Sequence, residues 1–292
     1  MRAPDRIAVV TGASGYLGSR ICATLESRGW QVVRFVRSPS TRDRSCRYDL
    51  AAPISAEVRE VLESADLLVH AAYDLSLTNP VDIWRVNVEG TRRLLKVAGD
   101  ARIRRILVVS SMSAYLGTTQ LYGRAKLDIE VMTAATGGCA VRPGLVYGDR
   151  PGGMAGALRK LVRLPLVPMI AGNARQYTVR EDDLMTALAA LAAVETLPPG
   201  TVCLAHPTPV AFRDLLTGFA AQEDRQCRLV AVPWRLIYWT LRTCETMHMR
   251  PPFRADSLLG LVHTAPDVTG TEVLTRLGVT LRAFDPSPRG PR

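Results

Sequence analysis

The chain has 292 residues, 47% hydrophobic and 22% charged, with a formal net charge of +10. That balance excludes a disordered chain and is large enough for one α/β domain, or for a domain with a smaller appendage. The longest apolar stretch, residues 184–194, is too short to cross a bilayer, and the first strand starts within a few residues of Met1, leaving no room for a cleaved signal. A cytoplasmic protein without a membrane partner is therefore expected. Cys22, Cys46, Cys139, Cys203, Cys227 and Cys244 form no C-x-x-C pair, which suits reduced thiols and calls for no metal. Arginine is spread evenly and no compact basic run occurs. The positive charge thus points to steering of anionic small molecules rather than to nucleic acid.

In chain order, residues 7–10 read as a short buried strand. They run into Thr11-Gly12-Ala13-Ser14-Gly15-Tyr16-Leu17-Gly18, and residues 19–25 beyond it are helical. Strand, glycine turn and helix in that order suit a pyrophosphate: the glycines permit a tight turn and close approach, and the helix N-terminus offers free N–H groups. Residues 31–36 form a second strand ending on Arg37, 19 positions beyond Gly18. In a dinucleotide-binding unit that place reaches the adenosine ribose, and an arginine there suits the 2′-phosphate of NADP where a carboxylate would suit NAD. Arg34 and Ser38 are candidate further contacts.

Residues 66–72 supply a third strand, 82–98 a helix after Asn79-Pro80, 104–109 a fourth strand ending on Ser110-Ser111, and 139–142 a fifth after a helix that begins near Gln120. Such alternation predicts a doubly wound parallel sheet of the Rossmann type, with ligands beyond the carboxyl ends of the strands. Gly12, Arg37, Ala71, Ser111 and Arg142 are then expected on one crevice. Past Gly148, Pro151, Gly152, Gly153, Pro165 and Pro168 break the pattern. Residues 1–150 are accordingly read as the dinucleotide-binding domain, completed by about 176–210. Residues 151–175 and 211–292 are read as a smaller C-terminal substrate-binding region. Within it, 233–247 carries Trp234, Ile237, Tyr238, Leu241 and Cys244 at helical spacing, which reads as core. The last eight residues are rich in proline and arginine and are expected to fray.

Tyr122 and Lys126 lie four apart, on one face if the segment is helical. A tyrosine with an ordinary pKa near 10 is a poor base at neutral pH, and a neighbouring cation lowers that value by stabilising the phenolate. The pair is thus expected to exchange a proton with a substrate oxygen.

Taken together these motifs resemble the extended short-chain dehydrogenase/reductase family, the NAD-dependent epimerase/dehydratase group. The glycine turn is similar to its TGxxGxxG segment, Tyr48-Asp49-Leu50 to its adenine-contacting acidic dipeptide, and His70-Ala71-Ala72 to its alanine pair. Asn87-Val88-Glu89-Gly90-Thr91, Ser110-Ser111 with Tyr115, Tyr122 with Lys126, and Arg142-Pro143-Gly144 continue the match in order, as does Arg180-Glu181-Asp182-Asp183-Leu184. The resemblance implies Tyr122 as acid/base, Lys126 on the nicotinamide ribose and Ser111 on the reacting oxygen. It implies cofactor contacts from Gly12, Ser14, Gly15, Tyr16, Leu17, Gly18, Arg37, Asp49, Leu50, Ala71, Ala72, Asn87, Tyr122, Lys126 and Pro143.

One departure is Leu116, inserted between Tyr115 and Gly117. It leaves the register open between Ser111, Met112 and Ser113, with Ser111 preferred because Met112 lacks a hydrogen-bonding group. Met112-Ser113 also lacks the Asp-Glu pair of the family's dehydratases. The expected activity is hydride transfer between NADP, or NAD, and a carbonyl or hydroxyl of a sugar or secondary metabolite. A nucleotide-sugar epimerase and a non-catalytic dinucleotide-binding sensor are the alternatives. The resemblance also implies a possible homodimer through helices 82–98 and 120–136.

Overall fold

A computed structural model describes residues 6–41, 43–149, 152–170, 174–247, 249, 253–285 and 287. The first half runs β1 (Ile7–Thr11), α1 (Tyr16–Ser27), β2 (Gln31–Val36), β3 (Ser45–Arg47), α2 (Ala56–Glu63) and β4 (Leu67–His70). It continues with α3 (Pro80–Ile83), a π-helical turn at Trp84–Val88, α4 (Glu89–Asp100), β5 (Arg105–Val109), α5 (Leu121–Ala135) and β6 (Cys139–Pro143). Shorter elements follow: β7 (Leu145–Tyr147), α6 (Gly153–Leu161), β8 (Leu166–Met169), β9 (Arg175–Gln176), β10 (Thr178–Arg180) and α7 (Glu181–Ala193). The chain then forms β11 (Gly200–Leu204), β12 (Val210–Ala211), α8 (Phe212–Gln222), β13 (Arg228–Ala231), α9 (Trp234–Thr246), α10 (Ala255–Val262) and α11 (Glu272–Arg276).

Seven strands form one parallel sheet in the order β11-β6-β5-β4-β1-β2-β3, the expected doubly wound arrangement. Its strands are apolar on both faces, so period-two alternation sends neighbours to opposite cores. Ala8 and Val10, Leu67 and Val69, Leu107 and Val109 face α1 and α7. Val9, Leu68, Ile106 and Val108 face α2, α4 and α5. A third cluster, built on Tyr147, Leu158, Phe212, Leu216 and Phe219, holds the smaller unit together around α6 and α8. Strand order reverses between β1 and β4, and sheets of this kind bind their ligands beyond the carboxyl ends of the strands at such a switch point.

A closed hydrogen-bond chain ties those two strand ends to the helix after them. Thr91 donates its hydroxyl to the Asn87 carbonyl at 2.7 Å, so its oxygen must accept the Nε2 proton of His70 at 2.8 Å. His70 Nδ1 is thereby an acceptor, and it takes the Thr11 hydroxyl proton at 2.7 Å. The Thr11 oxygen in turn accepts from the N–H groups of Ala71 and Ala72, at 3.2 and 3.1 Å. Burial pushes His70 down to about 3, with the Lys126 charge adding to the effect, so the ring stays neutral in this tautomer. The π-helical turn turns Asn87 fully inward, where its amide oxygen accepts from the Asp74 N–H at 2.7 Å.

Two features differ from expectation, and a third lies beyond what the structure describes. Residues around α11 return to the large unit: Leu274 is buried in the core under α1 and α7, and the Cys203 N–H donates to the Thr269 carbonyl. Helix α9 forms where expected, yet none of its residues is buried, because it packs on α10 at the surface instead of entering a core. The proline- and arginine-rich tail lies largely outside the described residues.

Replacing Thr11 with Val keeps the shape but strips an acceptor from two N–H groups and a donor from His70. We expect Thr11→Val to lower unfolding stability by roughly 2–4 kcal/mol. Urea denaturation measures this, and a loss below about 0.5 kcal/mol would contradict the hydrogen-bond assignment.

Candidate active site

Helix α1 begins at the switch point on Gly15, with no side-chain cap and no acid in its first turn, so its leading N–H groups are offered to an anion. The turn before it needs glycine for two separate reasons. Gly12 has φ +65, and a Cβ on Gly18 would run into the Gly12 carbonyl. The resulting bare backbone is a cradle that any side chain would fill, and it fits a pyrophosphate. Ser14 and Gly15 are exposed at its tip. Tyr16 and Leu17 point onward into a cavity of about 420 Å³. Tyr16 is held there by its hydroxyl, which donates to Glu181 at 2.5 Å, while Glu181 also accepts from Arg20 at 2.8 Å.

The same cavity is lined by Ser111, Ser113, Tyr122 and Pro143. The inserted Leu116 sits at the tip of an exposed turn with 92% of its surface in water, and Gly117 beside it takes φ +86. The extra residue is therefore absorbed outward and does not shift the serines. Ser110 is spent on Glu130, to which its hydroxyl donates at 2.5 Å, whereas the Ser111 hydroxyl pairs with Tyr122. Ser113 reaches back only with its N–H, which donates to Ser111 Oγ at 3.1 Å.

Tyr122, Lys126 and Glu130 follow one another at four-residue spacing on α5. The Lys126 ammonium, 3% exposed, donates to the Val109 carbonyl at 2.7 Å and stands 4.7 Å above the Tyr73 ring. It lies farther from the Tyr122 ring, at 5.8 Å. The expectation that this cation lowers the tyrosine is accordingly corrected. Enclosure pushes the Tyr122 phenol up to about 12, and only the Ser111 hydrogen bond acts against the rise. Burial pulls Lys126 down to about 8 despite the Glu130 carboxylate.

Two arginines do not join the crevice. Arg142 turns back to Glu130, with Nε and Nη2 donating at 2.8 and 2.6 Å. Arg34 pairs with Glu26 on α1 through Nη1 and Nη2, at 2.5 and 3.1 Å. Arg37 and Ser38 are exposed at the end of β2. Asp49 is exposed and accepts from the Ala51 N–H at 2.9 Å, while Leu50 beside it is buried. Ala71 and Ala72 give their N–H groups to Thr11, and Asn87 shapes the Asp74 loop from a fully buried position.

Several residues at the site carried no sequence signal on their own. Asp256, on α10, accepts from the N–H groups of Leu121 and Tyr122 at 2.7 and 3.1 Å. It thus caps the helix that bears the tyrosine, whose own cap residue Gln120 makes no such bond. Burial raises the Asp256 carboxyl, and those two N–H groups oppose the rise. Gln120 is 6% exposed on the cavity wall, and its Oε1 has no partner among the described residues. Tyr73 meets Tyr122 edge to face at 5.0 Å. Glu130 had a legible signal, four residues beyond Lys126.

A family model described as the NAD dependent epimerase/dehydratase family matches residues 8–202. A ceramide reductase of Caulobacter vibrioides is 25% identical over 236 residues, covering 78% of this chain and 74% of that protein. A farnesyl-dihydroquinoline-oxide ketoreductase of Stigmatella aurantiaca is 38% identical over 109 residues, 35% of this chain and 32% of that one. Among solved structures, MoeE5 in complex with UDP-glucuronic acid and NAD superposes with a TM-score of 0.71, at 22% identity over 96% of this chain and 94% of the other. At that identity the likeness is one of fold.

The Lys126 value carries a pH expectation. Its charged form predominates below about 8 and is lost above it, so affinity for a nicotinamide dinucleotide should fall as pH rises through that point. Binding titrations on the free protein should show Kd rising by up to about tenfold near pH 9. Lys126→Met should bind weakly with a flat profile, and an unchanged slope in that variant would remove Lys126 from the binding step.

Proposed function

The chain belongs to the NAD dependent epimerase/dehydratase family, and from that premise we propose that it is an NADP-preferring ketoreductase acting on an apolar carbonyl compound. The observation that carries this reading is the place of Tyr122 beside Ser111 on the wall of a mainly apolar cavity, where enclosure pushes its phenol up. With its pKa at about 12, the phenol holds its proton at neutral pH. It therefore suits donation to a carbonyl oxygen, the proton movement of a reduction.

When bound, the nicotinamide supplies the hydride. The chain's own residues do the rest. Ser111 Oγ and Tyr122 Oη hold the carbonyl oxygen, polarise it, and stabilise charge as it develops there. Tyr122 then passes its proton to that oxygen. The glycine turn and the start of α1 fit the pyrophosphate, Lys126 the nicotinamide ribose, and Arg37 the 2′-phosphate, the contact on which the NADP preference rests.

Cavity chemistry favours this reading over nucleotide-sugar epimerisation. Among the described residues lining the cavity, Arg254 is the one guanidinium, and it donates to the Leu75 carbonyl at 2.7 Å. A diphosphate needs more cationic or N–H donors than this wall offers. Met154, Leu145, Val146, Leu261 and Phe253 give it instead an apolar lining. The similar proteins named as reductases of ceramide and of a farnesylated quinoline support an apolar substrate.

Purified protein should oxidise NADPH in the presence of long-chain or polycyclic ketones, followed at the nicotinamide absorbance. Tyr122→Phe should keep NADPH affinity within about threefold and lower kcat by at least about a hundredfold. Wild-type turnover in that variant would remove Tyr122 from the chemistry, and return of an epimer without net NADPH consumption would favour the epimerase.

For the cofactor, a charge-assisted contact at Arg37 is worth about 1.5–3 kcal/mol, or roughly ten- to a hundredfold in affinity. NADPH should bind tighter than NADH by that margin, and Arg37→Ala should erase it. Equal Kd ratios in wild type and variant would leave Arg37 as an ordinary surface arginine.

A further inference from the structure

Helix α9 contains Trp234, Leu236, Ile237, Tyr238, Trp239 and Leu241 within thirteen residues, yet it lies on the surface with none of them buried. Apolar side chains occur on both its inner and its outer side, the outer one shared with Arg235, Thr240, Thr243 and Thr246, and apolar surface beyond the stripe that packs on the protein calls for a further partner. Its inner stripe, Ile237, Tyr238, Leu241 and Cys244, is half-buried on the α10 side. The outer stripe of Leu236, Trp239 and Met247 is exposed by 63%, 67% and 67%.

Polar groups on that outer face are already satisfied. Thr240, Thr243 and Thr246 donate their hydroxyls to the carbonyls of Leu236, Trp239 and Thr243, at 2.9, 3.0 and 2.8 Å. The face thus shows methyl groups and aromatic surface, with little directional bonding left for a protein partner. Its charge is positive on balance. Arg225, Arg228, Arg235 and Arg242 occur between 225 and 247, where the one acid is Glu245. That carboxylate pairs with Arg242 and accepts from the Ala255 N–H, which pins α9 to the start of α10. The strand pair leading into the helix adds exposed Leu166 and Val230.

We propose that α9 is an interfacial helix that seats the protein on an anionic lipid surface. Apolar side chains flanked by arginine, with Trp at the boundary, are the chemistry that such a surface recognises. No helix among the described residues is long and apolar enough to span a bilayer, and a helix lying on the surface departs from the expectation of no membrane partner. The helix also adjoins the cavity. Trp234 meets His263 at 5.9 Å, and His263, Ser257 and Gly260 of the α10 segment line the cavity wall. Resting on the ketoreductase reading, the substrate is then a carbonyl compound dissolved in the bilayer, taken up next to α10 with a short path through water.

Flotation of the full chain with vesicles tests this, using phosphatidylcholine alone and phosphatidylcholine with about one-third phosphatidylglycerol. Wild type should float with the anionic vesicles at low ionic strength. The double variants Leu236→Ser/Trp239→Ser and Arg235→Gln/Arg242→Gln should each lose at least about tenfold in bound fraction. Both should keep wild-type turnover of a short water-soluble ketone, because neither touches the cavity. No flotation, equal flotation with phosphatidylcholine alone, or variants that float like wild type would overturn the assignment. A wild-type dimer that Leu236→Ser/Trp239→Ser converts to monomer would also overturn it, giving the face to a second copy. Flotation without any ketone turnover would sustain the lipid surface and overturn the bilayer-dissolved ketone together with the ketoreductase reading.

Discussion

Burial of polar groups at the ends of β1 and β4 constrains everything around the switch point, because a buried donor or acceptor without a partner is costly. Thr11 meets the constraint by using its proton on His70 and both lone pairs on Ala71 and Ala72. His70 passes the requirement to Thr91, and Thr91 to the Asn87 carbonyl. Asn87 then fixes the Asp74 backbone, the next residue after Tyr73. One chain of bonds thereby links the glycine turn to the ring that lies under Lys126. No group in it titrates near neutral pH, since the histidine is held neutral by its surroundings.

A second polar network has the opposite character, being built on an ion pair. Glu130 accepts from Ser110 and, through both oxygens, from Arg142, with its own side chain buried. Breaking such a buried pair leaves an uncompensated charge worth about 3–5 kcal/mol. The network locks the face of α5 against the ends of β5 and β6, one turn away from Lys126. Asp256 performs a related task at the other end of the helix, reaching from α10 to its first N–H groups. The position of Tyr122 is therefore set by both units of the protein, and any movement of α10 on substrate entry acts on the tyrosine directly.

Much of the large unit was legible because parallel strands buried on both faces appear as short apolar runs with turn residues between them. β2 matches its expected bounds, the glycine turn joins β1 to α1, and Tyr122 and Lys126 share the helix that their spacing called for. What spacing does not show is where a long side chain goes. Arg34 and Arg142 sit at strand positions that suit a crevice, but each has a glutamate in reach, on α1 and α5 respectively, and those pairings are three-dimensional. Asp256 caps a helix that starts 135 positions earlier, so local capping rules do not see it. The apolar spacing in α9 is that of a buried helix, and composition alone does not separate protein core from a surface that meets lipid.

The direction of proton movement follows from the same enclosure that raises Tyr122. For oxidation of an alcohol the residue must start as phenolate, and a phenol pushed up to about 12 is almost wholly protonated at pH 7. For reduction it must start protonated, which nearly every molecule is. An alkoxide forming on the substrate is a far stronger base than a phenolate, so the transfer runs downhill even from a phenol held this high. Lys126 does not offset the asymmetry, because its ammonium is bonded to the Val109 carbonyl and stacked on Tyr73. A ligand that drew Lys126 away from Val109 toward Tyr122 would lower the phenol. Which oxygen the lysine faces, the backbone carbonyl at the end of β5 or that of a ligand, thus bears on how readily Tyr122 gives up its proton, while the balance between reduction and oxidation is fixed by substrate and cofactor.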